Sequence, residues 1–89
     1  MIICKVLGNV WATKKDEKLS GYKLLVVRSG GGEAETFVAV DIIGAGIGED
    51  VLVSQGSVAR NSLAEKDTPI DAVVVGIIDS LEVDETLLK

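Results

Sequence analysis

Nearly every apolar run in this chain is built on valine, as in KVLGNV (5–10), YKLLVV (22–27), FVAV (37–40), DVLV (50–53) and DAVVVG (71–76). β-Branched side chains lose rotamer freedom in a helix and pack well on a pleated sheet, so short runs of this kind predict strands. They fit into 89 residues with little room for helix. A chain of that length is one domain, 1–89, near the size at which a single core only just stabilises itself and a partner subunit often adds burial. Hydrophobic residues make up 47% of the chain but aromatics only 3%, so the core must be aliphatic.

The alternation from Ile2 to Thr13 places Ile2, Cys4, Val6, Gly8, Val10 and Ala12 on one face and Ile3, Lys5, Leu7, Asn9 and Trp11 on the other. This is a strand with one buried face and one mixed face, and the mixed face is a candidate interface. The charged run Lys14 to Gly21 reads as a surface loop, because acids interleave with its lysines. Tyr22–Ser29 and Thr36–Asp41 then form a hairpin with a glycine-rich tip, and Glu49–Ser54 makes a fourth strand. Ser57 suits the cap of one short helical turn between Gly56 and Ser62, after which LAEKDTP reads as polar loop. Asp71 to Val83, entered from Pro69, is the last strand, with Gly76 marking a bend. Short strands, long loops and almost no helix make a small all-β barrel or sandwich.

Charge and composition narrow the function. The formal charge is −5 with no histidine, which argues against nucleic acid or anionic lipid as a partner. Cys4 is the only cysteine and reads as a small apolar strand residue, so neither a disulfide nor a zinc site is expected. MIICKVLGNV has no export-signal pattern, and AVVVGII (72–78) is too short to span a bilayer as a helix. A reducing, cytoplasmic setting is expected.

The segment DIIGAGIGEDVLVSQGSVARNS (41–62) is the most distinctive stretch. A dinucleotide fingerprint needs GxGxxG between a strand and a helix N-terminus, whereas here the spacing is GxGxG and a strand follows. Glu49 and Asp50 also stand where an anion would have to bind. They read as solvated carboxylates rather than a catalytic pair, and Ser57 with Arg60 lacks a histidine to make a nucleophile. No catalytic, cofactor-binding or metal site is expected, and the chain does not read as an enzyme. The glycines Gly44, Gly46 and Gly48 instead read as positions whose φ is forbidden to other residues, with Ala45 small enough to permit close approach to a copy of the chain.

These residues carry a resemblance. Asp41, Gly44, Ala45, Gly46, Gly48, Glu49, Val51, Leu52, Val53, Gly56, Ser57, Ala59 and Arg60 form a pattern similar to the signature of bacterial microcompartment vertex proteins, the ethanolamine-utilisation and carboxysome pentameric shell family. The opening Val6, Gly8 and Val10, the runs YKLLVV and FVAVD, and Pro69, Asp71, Ala72, Val74, Val75, Gly76 and Asp79 match as well. Two departures stand out: RSGGGEAET (28–36) is shorter and richer in glycine than is usual, and Val58 replaces a serine.

The resemblance implies a five-stranded barrel similar to the oligonucleotide/oligosaccharide-binding (OB) fold, assembled as a cyclic homopentamer at the fivefold corners of a polyhedral shell in the bacterial cytoplasm. Hexameric shell proteins would be its partners, and no cofactor is implied. Gly44, Ala45, Gly46 and Gly48 would then lie around the fivefold axis, and Gly56, Ser57, Arg60 and Trp11 would contribute to the protomer contact. Trp11 has a second use, covering the barrel of its own protomer, which is the commoner fate of such a residue. Two other readings use the same barrel. A nucleic-acid-binding module would need basic grooves and stacking aromatics, and a co-chaperonin-like ring would need an apolar early loop where KKDEKLSG is charged.

Overall fold

The computed structural model describes residues 1–12, 17–30, 33–56, 59, 61, 63, 70–80 and 84–88. Five strands, β1 (Ile2–Asn9), β2 (Lys23–Ser29), β3 (Thr36–Asp41), β4 (Asp50–Gln55) and β5 (Ala72–Ile77), close into a barrel in the order β1-β2-β3-β5-β4. Closure removes the exposed edges that would otherwise template aggregation. All seams are antiparallel except β3 to β5, where only Val40 and Asp41 pair, with Val73 and Val74.

The alternation in β1 sorts as its sequence predicts: Cys4 and Val6 are buried while Ile3, Lys5 and Leu7 are exposed. Inside the barrel, Cys4, Val6, Leu25, Val27, Ala39, Val51, Val53, Ala72 and Val74 form one aliphatic cluster with Phe37 against it. A second cluster lies on the outer wall, where Leu24, Val40 and Val73 are covered by Ala59 and Leu63 from the β4–β5 connection. That wall explains why Val73, Val74 and their neighbours read as one unbroken apolar run: β5 is buried on both faces.

Several boundaries depart from the sequence reading. β1 stops at Asn9 rather than Thr13, because Trp11 and Ala12 find no ladder partner and stand exposed. β5 stops at Ile77 rather than Val83; the Ile78 N–H still reaches the Asp50 carbonyl at 2.9 Å, but β4 begins there and offers nothing further to pair with. β4 is shifted by one residue, since the Glu49 carbonyl accepts from Val6 N–H at 3.0 Å outside the ladder. Leu63, expected in a polar loop, is buried in the outer cluster. Of the expected helical turn, Ala59 and Asn61 are described and take 3-10 conformation, while its Ser57 cap lies outside the described residues; 3-10 turns also occupy Glu17–Leu19 and Glu85–Leu88. Pro69 lies outside the described residues.

Candidate assembly site

Asp41 ends β3 with its side chain buried, 1% exposed, and that carboxylate builds the loop after it. Its Oδ1 accepts the N–H groups of Ile43 at 2.9 Å and Gly44 at 3.0 Å, and its Oδ2 accepts that of Ala45 at 2.8 Å. Short acidic side chains readily take up local backbone N–H groups in this way. Lys23, which pairs with Asp41 across the β2–β3 ladder, donates from Nζ to the Ala45 carbonyl at 2.8 Å and lies 3.9 Å from Asp41 Oδ2. A buried charge is tolerable when it is hydrogen-bonded and faces an opposite charge, and both conditions hold here.

The loop then crosses to β1. Gly48 N–H donates to the Val6 carbonyl at 2.8 Å, so the far end of the loop is tied beside the bulge that separates Val6 from Gly8. Gly44 (φ 98°) and Gly48 (φ 90°) take left-handed conformations as predicted. Gly46 does not, which corrects the expectation for that residue. Its role is contact with Glu49: its N–H donates to Glu49 Oε1 at 2.6 Å, and a Cβ there would come within 3.2 Å of the same oxygen. Ala45 also departs from expectation, because its methyl group plugs the end of the barrel and is fully buried in the interior cluster.

The loop's exposed apolar side chains are those of Ile42, Ile43 and Ile47, which the glycine-centred sequence reading passed over. Two isoleucines directly after a strand were the available signal, but burial inside the barrel would give the same pattern.

Of the other expected interface residues, Gly56 and Trp11 are described. Gly56 (φ 79°) donates its N–H to the Asp71 carbonyl at 2.7 Å and accepts the Ala59 N–H at 3.1 Å, turning the chain out of β4. It follows β4, whereas the glycine loop precedes it, so the two groups are separated by the strand's length of about 20 Å. Ser57 and Arg60 lie outside the described residues. Trp11 is 90% exposed, so it does not cover its own barrel. Glu49 and Asp50 are exposed; Glu49 serves Gly46, and Asp50 pairs with Lys5 at 3.3 Å.

The strand order and the buried Asp41 turn define the class: a small closed OB-like barrel whose conspicuous loop is organised by internal contacts and carries apolar side chains outward. The model of the family described as ethanolamine utilisation protein EutN/carboxysome matches residues 1–79, and the chain belongs to that family. It is 47% identical over 87 residues to the carboxysome shell vertex protein CcmL of Synechocystis sp., covering 93% of this chain and 87% of that one. It is 49% identical over 86 residues to the microcompartment shell vertex protein GrpN of Rhodospirillum rubrum, covering 92% and 97%. Among solved structures, the carboxysome subunit CcmL superimposes with a TM-score of 0.87 at 45% identity, over 96% of this chain and 93% of that one. The R. rubrum GrpN structure, described as a pentameric microcompartment shell protein, superimposes with a TM-score of 0.82 at 48% identity, over 93% and 100%.

Proposed function

We propose that this protein is a shell vertex protein, a cyclic homopentamer that caps the fivefold corners of a bacterial microcompartment and performs no chemistry itself. The observation that carries the reading is the match of the whole barrel to a pentameric shell protein at a TM-score of 0.82 and 48% identity. The function is geometric. A flat layer of hexagonal tiles does not close, and a subunit whose head-to-tail contact returns to its start after five rotations supplies the missing curvature. Hexameric shell proteins are the partners this requires.

Gly44, Gly46 and Gly48 approach the neighbouring protomers around the fivefold axis, and the fully buried Ala45 supports their loop from beneath. Gly56, Ser57, Arg60 and Trp11 contribute to protomer or tile contacts. Five copies carry roughly −25 in formal charge, five times the −5 of one chain, so acids must be kept to the rim and solvent faces. Phe37 and Tyr22 pack against the inner and outer clusters, leaving Trp11 as the one strongly exposed aromatic, which is a poor platform for stacking bases.

Native mass spectrometry over a range of concentrations tests the ring, with a dominant pentamer expected. Co-expression with hexameric shell proteins tests the vertex role: closed polyhedra should form with the chain and open sheets or tubes without it. A monomer at every concentration refutes the proposal, and a heptamer would favour the co-chaperonin-like reading.

A further inference from the structure

A ring of identical subunits related by rotation other than a twofold needs two different, complementary patches on each protomer. Among the described residues, two of the exposed apolar patches lie on different walls of the barrel. The first is the turn after β3, where Ile42 and Ile43 are 41% and 47% exposed. The second is a groove of about 1170 Å³ along the outside of β1, whose apolar lining includes Ile3, Leu7 and Leu52. Ile3 and Leu7 are 43% and 45% exposed, and Leu52 lies opposite Ile3 across the β1–β4 seam. In the order β1-β2-β3-β5-β4, β1 and β3 are separated by one strand on one side and two on the other, as far apart as two strands of this barrel can be.

We propose that the Ile42–Ile43 turn of one protomer seats in the β1 groove of the next, and that this contact, repeated five times, closes the ring. The inference rests on the pentameric reading above and names the surfaces that make it. Three features favour a second copy of this chain as the occupant. Large apolar side chains left in water on a small barrel mark an association surface, and relatives of this fold are described as pentameric. The turn is preorganised, because Asp41 holds the N–H of Ile43 and its two successors, so little ordering entropy is lost on docking. The groove is open along its side and is flanked by both signs of charge, Lys5 paired with Asp50 at 3.3 Å, which suits a protruding protein segment with a polar rim. The smaller hollow beside Trp11 is lined by Lys23, which binds the base of the glycine loop, so it belongs to the loop's end of the barrel rather than to the groove.

The test uses three full-length chains: the parent, Ile42→Asp/Ile43→Asp, and Ile3→Asp/Leu7→Asp. All four side chains are exposed, so both variants should keep the parent's circular dichroism spectrum. In native mass spectrometry the parent should be a pentamer and each variant alone a monomer. An equimolar mixture should give a one-to-one heterodimer and nothing larger, since one variant keeps the groove and the other keeps the turn. As a second measurement, Leu7→Cys/Ile43→Cys treated with a short bifunctional maleimide should give a ladder of covalent oligomers ending at five, the natural Cys4 being buried. A parent pentamer with neither heterodimer nor ladder overturns this pairing and leaves the vertex reading standing. A parent that is monomeric throughout overturns both.

Discussion

The buried carboxylate of Asp41 accepts the backbone N–H of Ala45 at 2.8 Å, and Ala45 in turn closes the end of the barrel with a fully buried methyl group. One side chain thus fixes the path of a loop, plugs the interior and sets the direction of Ile42 and Ile43. In this way the monomer's stability and its capacity to assemble are coupled through a single residue.

Removing that carboxylate should be costly. Asp41→Ala leaves the N–H groups of Ile43, Gly44 and Ala45 without their acceptor and Lys23 without its partner charge, and is expected to lower stability by about 2–4 kcal/mol. Asp41→Asn keeps the shape but turns one acceptor into a donor, and should lose about 1–2 kcal/mol. Urea denaturation of the two variants checks the order; a midpoint unchanged in Asp41→Ala would contradict the role assigned to this residue.

The loop glycines should separate into two kinds. Gly44→Ala and Gly48→Ala force a side chain into the left-handed region and should each cost about 1–2 kcal/mol of monomer stability. Gly46→Ala carries no such strain, and its Cβ meets only the end of a flexible glutamate, so its denaturation midpoint should stay close to the parent's. Gly46→Val should reduce the pentamer fraction before it disturbs the strands, read by native mass spectrometry beside circular dichroism; an unchanged pentamer would remove Gly46 from the axis.

Cys4 should behave as a protected thiol. It is buried among the interior aliphatics, and desolvation raises its pKa above the ordinary thiol value. At neutral pH a thiol reagent should therefore label it only as fast as the barrel opens. The sign of the linkage follows: an acid whose pKa is raised by folding binds its proton more tightly in the native state, so stability should fall as pH rises through the unfolded thiol's range. Labelling at the rate of a free thiol in native buffer would show that the site is open.

Trp11→Ala should leave the barrel's denaturation midpoint within about 0.5 kcal/mol of the parent, because a side chain 90% exposed contributes little to its own core. Its expected effect is on association, as a lower pentamer fraction at a given concentration. A large loss of monomer stability instead would mean that the ring packs on its own barrel in solution.

The strands of this protein are legible in its residues because β-branching and period-two alternation are local properties: Cys4 and Val6 against Ile3 and Leu7 assign both faces of β1 without any knowledge of its neighbours. Family membership is legible for the same reason, since the glycine, acid and valine pattern from Asp41 to Arg60 is contiguous. The ends of β1 and β5 are not, because a strand stops where its partner does: β5 ends where β4 begins at Asp50, and β1 ends at Asn9, opposite its last β2 partner Leu25. Nor could local pattern place Leu63 over the outer wall or expose Ile42 and Ile43, since burial is a property of what else arrives at a site. Sequence by itself determined the strands, the aliphatic core and the kinship. Only the closed barrel decided that Asp41 lies beneath the loop, that Ala45 turns inward, and that an isoleucine pair and a groove stand on separate walls, because each depends on segments far apart in the chain meeting in space.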